Sequence, residues 1–188
     1  MNTATIILLI LAAIIVITVI AVISIYNSLV RFRNQVDNAW SQIDVQLKRR
    51  HDLIPNLVET AKGYMKHERG TFEAVTEARS KAMGARSVSE LSQAEGQLTE
   101  ALSKFMLVVE NYPELKANQN FLAVQEELTS TENKIAFARQ NYNDQVLFYN
   151  NNIQVFPRNF VANSFNFKKR DFFEVESVTE RQAPKVEF

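Results

Sequence analysis

Hydrophobic and polar positions follow two different rules along this chain. Residues 6–25 are apolar throughout except for Thr18 and Ser24. Beyond them, apolar residues recur every three or four positions among polar ones, the signature of helices with one buried stripe. A helix over the first stretch rises about 30 Å, the thickness of a bilayer's hydrocarbon layer. Thr and Ser are tolerated there because their hydroxyls bond back to a carbonyl one turn earlier. The run therefore predicts a transmembrane helix, with residues 1–25 as an N-terminal anchor. A cleaved signal peptide fits less well, because residues 1–5 carry no Lys or Arg, the apolar run is long and no A-x-A-like site follows.

The rest of the pattern predicts four body helices over residues 26–156. The first carries Leu29, Val36 and Ile43, with Trp40 and Leu47 beside them. The second carries Ile54, Val58, Ala61, Met65, Phe72, Val75 and Ala82, and the third Leu91, Leu98, Ala101, Phe105, Val108 and Tyr112. In the fourth, Phe121, Leu128, Ile135, Tyr142, Tyr149 and Phe156 are each seven residues apart. Strict seven-residue spacing implies coiled-coil-like helices crossing at a small angle with a left-handed wrap. The predicted fold is all-α: an N-terminal transmembrane helix followed by an antiparallel up-down four-helix bundle with long helices.

Punctuation sets the expected boundaries. Asp52 can cap the second helix, with Pro55 in its first turn, where a missing N–H costs little. The alternative is one long kinked helix across Pro55, since the apolar phase nearly continues. The break is preferred. Gly84 ends the second helix, and Ser87-Val88-Ser89-Glu90 reads as a capping box. Pro113 ends the third helix, Asn118 caps the fourth and Pro157 stops it. Residues 157–188 then form a Phe-rich basic segment and a tail expected to be disordered in its last ten or so residues.

Up-down topology sorts the loops by height. Arg49, Arg50, His51, Asp52 and Asn56 should meet Tyr112, Glu114, Lys116 and Asn118 at the end far from the membrane. They form a candidate partner-binding surface or, alternatively, a polar clasp that fixes the turns. The Tyr142-Asn143 and Tyr149-Asn150 repeats suggest core rings whose polar groups seek neighbouring partners. Phe165, Phe167, Lys168, Lys169, Arg170, Phe172 and Phe173 should return towards the membrane. There they either bind an anionic surface or cap the open end of the bundle.

Charge refines the picture. The 21 bases and 21 acids cancel, yet none falls within residues 1–30. Residues 26–51 hold five bases and two acids, while residues 87–118 hold two bases and five acids. Basic early helices thus face acidic later ones. The bases after the apolar run place the body on the cytoplasmic side and the N-terminus outside. Charge balance argues against nucleic acid as a partner. No Cys is present, which excludes disulfides and thiolate chemistry. The two His residues lack the inward Glu-x-x-His spacing of a di-metal bundle, and there is no phosphate loop or H-E-x-x-H motif. No cofactor, metal ligand or catalytic residue is assigned.

Several blocks together resemble the LemA family. They include Ala39-Trp40-Ser41-Gln42-Ile43-Asp44-Val45-Gln46-Leu47 and Arg50-His51-Asp52-Leu53-Ile54-Pro55-Asn56-Leu57-Val58. Tyr64-Met65-Lys66-His67-Glu68, Asn111-Tyr112-Pro113-Glu114-Leu115-Lys116-Ala117, Glu132-Asn133-Lys134-Ile135 and Phe156-Pro157 continue the match. It spans about residues 26–173. The resemblance implies a bacterial protein with one N-terminal membrane helix and a cytoplasmic helical bundle. It supplies no reaction and no catalytic residue. A magnetosome-forming relative tied to membrane organisation points the same way. One departure is Asn166 before Phe167, where the family pattern has Gly. A Gly there would allow a positive φ, and Asn is the next most tolerant residue.

The function expected from these features is non-enzymatic: a scaffold acting through self-assembly at the bacterial inner membrane, with the lipid bilayer and further copies of the chain as partners. The alternative is an adaptor that presents its distal corners to a protein partner, cytoplasmic or in the membrane. A metal-dependent hydrolase around His51 or His67 is a minor third.

Overall fold

A computed structural model describes residues 2–173 of the chain, and the expectation of a disordered C-terminus falls outside them. The described residues are all-helical, without a strand: α1 Thr3–Lys62, α2 Arg69–Gly84, α3 Val88–Val109, α4 Pro113–Lys116, α5 Gln119–Asn152 and α6 Arg158–Ser164. α1 is long and apolar enough to cross a membrane. Its most apolar window has a mean hydropathy of 3.6, and none of that window is buried. Thr18 Oγ1 donates to the Ile14 carbonyl at 2.8 Å, the back-bond expected inside such a helix.

The expected break at Asp52 does not occur, and α1 continues through Pro55 to Lys62. Proline removes the N–H that would reach the carbonyl four residues earlier. Here that carbonyl belongs to His51, and Arg79 Nε of α2 donates to it at 2.7 Å. A tertiary partner replaces the missing helical one, so the apolar phase carries on uninterrupted. The turn moves to residues 63–68, and α2 is only 16 residues long.

Other punctuation agrees with expectation. α2 ends at Gly84, and Ser87 Oγ accepts from Glu90 N at 3.1 Å, while the Glu90 carboxylate accepts from Arg86 N at 2.9 Å. Asn118 Oδ1 caps α5 by accepting from Phe121 N at 3.1 Å. α5 stops at Asn152, short of the expected Phe156. Asn150 and Asn152 account for this, because their side chains bind Arg170 and Arg158 while their residue type propagates a helix poorly. The short helices α4 and α6 were not expected.

Contacts divide the chain into two units. Of the described residues, the first contains 2–40 and 143–170, and the second 41–142 and 171–173. Buried apolar side chains of the first unit include Leu29, Val36, Val146, Tyr149, Ile153, Val161 and Ala162. Phe32 and Phe148 meet edge to face at 4.8 Å.

In the second unit one apolar cluster draws on five elements. α1 gives Ile54, Leu57, Val58 and Ala61, and α2 gives Phe72, Val75, Ala78 and Ala82. α3 contributes Leu98, Phe105 and Val109, α4 Leu115, and α5 Phe121 and Leu128. α2 and α3 pack as a hairpin, with Phe72 and Phe105 rings 6.1 Å apart. Each fully buried Leu or Phe contributes about 1.5–3 kcal/mol relative to exposure, so this cluster is what holds the unit together. The seven-residue track of α5 is buried from Phe121 through Tyr149, as its spacing requires.

Candidate functional site

The nine residues expected at the distal corner separate into two groups, because α1 runs past Pro55. Arg50 and His51 lie within α1 and are buried. Arg50 Nη1 lies 3.2 Å from the Glu95 carboxylate of α3 and 3.3 Å from Glu132 of α5, and its Nη2 donates to Thr99 Oγ1 at 2.7 Å. His51 Nε2 is 2.7 Å from the other Glu95 oxygen. A carboxylate there accepts from both side chains, which places a proton on His51 Nε2. Arg50 Nε and Ser92 Oγ are buried beside these groups without a hydrogen-bond partner in the structure. Arg49 pairs with Glu127 on the exposed side of the helix. Asp52 and Asn56 are exposed.

Tyr112, Glu114, Lys116 and Asn118 instead lie near the turn at residues 63–68. Tyr112 donates its hydroxyl proton to Glu68 at 2.9 Å, and Asn118 Nδ2 donates to the Tyr64 hydroxyl at 2.9 Å. The hydrogen bond to Glu68, with lesser contributions from burial and that residue's charge, raises the Tyr112 pKa above the ordinary tyrosine value. Glu114 and Lys116 are exposed.

Glu95 and Thr99 were missed by sequence reasoning, and Glu132 was named only within a family block, though a signal for Glu95 existed. Glu95 is four residues after Leu91 and three before Leu98, on the apolar stripe of α3. Arg50 holds the equivalent place between Leu47 and Ile54. Opposite charges at core positions of two stripes are a pairing signal.

The segment after α6 is a docked strap. Asn166 has φ of 58°, the left-handed conformation that a Gly would allow and that Asn tolerates next best. Phe167 N then donates to the Ala162 carbonyl at 2.9 Å, and its ring lies 5.7 Å from Tyr26 and 5.5 Å from the Arg33 guanidinium. The Tyr149 hydroxyl donates to the Lys168 carbonyl at 3.0 Å. Asn150 reads the backbone of Arg170 twice: Nδ2 donates to its carbonyl and Oδ1 accepts from its N–H, each at 2.9 Å. The Arg170 side chain pairs with Asp37 at 2.8 Å.

In the second unit Tyr142 donates to the Asp171 carbonyl at 2.9 Å, and Phe173 is buried with the Arg139 guanidinium 5.2 Å from its ring. The Tyr and Asn repeats of α5 thus hold the strap. Burial raises the Tyr149 pKa, against the lowering influence of Arg170 and Arg33. Of the seven expected membrane-surface residues, Phe167 and Phe173 are packed against the protein. Phe165, Lys168, Lys169, Arg170 and Phe172 remain exposed.

Among the described residues, no group of three or more His, Asp or Glu is placed to hold a metal ion. His67 stands exposed in the turn before α2.

The LemA family model matches residues 39–188, which includes the buried cluster, the turn and the strap. The chain belongs to the LemA family. It is 28% identical to Protein LemA of Metamycoplasma hominis over 154 residues, covering 81% of this chain and 70% of that protein. It is 25% identical to Magnetosome protein MamQ 2 of Paramagnetospirillum magneticum, covering 86% of this chain and 72% of that one. Magnetosome protein MamQ of Magnetospirillum gryphiswaldense is 23% identical, over 79% of this chain and 64% of its own length. The LemA match thus reaches from the middle of α1 to the C-terminus, and the apolar run of α1 lies outside it.

Proposed function

We propose that this LemA family protein is a non-enzymatic scaffold that self-assembles at the bacterial inner membrane. Residues 6–25 anchor it, with the N-terminus outside and the body in the cytoplasm. The body segments of α1, α2, α3 and α5 form an up-down bundle. The exposed apolar window supports the anchor, because a core helix of similar composition would be covered. Arg31, Arg33, Lys48, Arg49 and Arg50 after that window support the orientation. Relatives named for an assembly, the magnetosome, agree with a structural role.

One observation carries self-assembly. In the second unit, α1 and α5 border a groove of about 710 Å³ lined by Ser41, Val45, Gln46, Asn133, Phe137 and Ala138, among others. Phe137 is 74% exposed and Val45 61% exposed on it. A large aromatic ring left open within a polar, nearly uncharged rim suits a protein partner better than lipid headgroups. A second copy of the chain is the partner always present at matching concentration.

The test is size-exclusion chromatography with light scattering on the full-length chain in detergent. The wild-type chain should run as an oligomer. Phe137→Glu should shift it towards monomer while circular dichroism stays unchanged. A wild-type monomer at every concentration would overturn the proposal.

A further inference from the structure

Exposed aromatic residues of the first unit lie on and around α6, one end of which rests on Tyr26, the residue directly after the apolar run. The Phe165 ring lies 4.8 Å from Tyr26 at the C-terminal end of α6. α6 has only seven residues, about 10 Å of rise, so its other end is close as well. There Phe160 packs edge to face on Phe156 at 5.9 Å. This pairing covers little of either ring: Phe156 is 78% exposed and Phe160 65%. Val155 and Phe165 are about half exposed beside them. Water is a poor surrounding for such a set, and aromatic rings concentrate at the headgroup level of membranes.

Charge identifies what covers the patch. The first unit holds six bases (Arg31, Arg33, Arg158, Lys168, Lys169 and Arg170) against two acids, Asp37 and Asp144. Asp37 is already paired with Arg170. Exposed rings next to excess positive charge fit an anionic lipid surface, where each base near the surface adds about 1 kcal/mol of attraction.

We propose that the corner between α5 and α6, through Phe156, Phe160 and Phe165, inserts into the headgroup layer of an anionic membrane beside the point where α1 emerges. This rests on the anchor assigned under the proposed function. It keeps Phe165 as a lipid contact, adds Phe156 and Phe160 to it, and leaves out the docked rings of Phe167 and Phe173.

The chain has no Cys, so single labels can be placed without other changes. Phe160→Cys, Ile15→Cys and Leu107→Cys variants would each carry an environment-sensitive nitrobenzoxadiazole dye. Each full-length variant would be reconstituted in vesicles of phosphatidylcholine and phosphatidylglycerol containing doxyl-labelled lipid. Leu107 is exposed on α3 and reports water. The dye at 160 should be blue-shifted, quenched by shallow doxyl lipid and shielded from aqueous iodide, and the dye at 107 should show none of these. If 15 is quenched by lipid and 160 behaves like 107, the corner does not insert and the anchor stands. If neither 15 nor 160 is quenched, the anchor itself is wrong and the proposal falls with it.

Discussion

Glu95 shows how much one buried carboxylate can decide. Its side chain and that of Arg50 are 6% and 3% exposed, so neither charge is hydrated, and each depends on the other. Such a pair rarely outperforms a well-packed apolar pair in net stability. What it enforces is register, because only one alignment of α1 with α3 puts Arg50 and His51 on Glu95. Removing one partner is costly. Glu95→Gln should destabilise the chain by about 3 kcal/mol in chemical denaturation, the lower end of the usual range because Glu132 still faces Arg50. The exposed pair gives the contrast. Glu127→Gln removes the partner of Arg49 and should cost no more than about 1 kcal/mol. Equal losses in the two variants would show that burial is not what makes the Glu95 pair matter. At this scale the sequence was partly legible. Asn166 stood out against the family pattern's Gly, and its φ of 58° is the conformation that Gly would allow. The Arg50–Glu95 pairing needed two stripes to be compared, and that comparison depends on knowing that α1 does not break.

At the scale of elements, local signals were read well where they act locally. The Ser87 box, the Asn118 cap and the stop at Gly84 each involve backbone groups within four residues. Pro55 misled because its effect is decided at a distance. A proline inside a helix leaves a carbonyl unpaired, and nothing near it in sequence shows that Arg79 will supply the donor. A double-mutant cycle isolates this. Arg79→Met should cost about 1–3 kcal/mol by leaving the His51 carbonyl without a partner. Pro55→Ala restores a backbone N–H that can reach the same carbonyl. In that background Arg79→Met should be cheaper by about 1 kcal/mol, the worth of the hydrogen bond that takes over. Strictly additive losses in thermal or urea unfolding would mean that Arg79 stabilises α1 by some other contact. The same blindness to distant partners hid the role of Tyr142, Tyr149 and Asn150. Their spacing announced core rings with polar groups in need of partners, but the partner is a strap 19 to 29 residues further on.

For the whole molecule, the division first visible in the hydrophobic pattern makes the most direct prediction. Apolar residues through position 25 are exposed or only half covered, and burial begins at Leu29. Among the described residues, 26–173 therefore retain every buried side chain, every ion pair and the whole strap. A chain beginning at residue 26 should dissolve without detergent, keep a helical circular dichroism spectrum and unfold cooperatively, while the full-length chain requires detergent. The two should also differ in how they meet membranes. Full-length protein held by a transmembrane helix resists extraction with high salt, because hydrophobic insertion is not screened. The shortened chain keeps the bases and exposed rings near the α5–α6 corner. It should bind anionic vesicles weakly and be released as ionic strength rises and the Debye length shrinks. Salt-resistant binding by the shortened chain would place the main membrane contact in the body. Salt release of the full-length chain would show that residues 6–25 do not span the bilayer, whatever their length and apolarity allow.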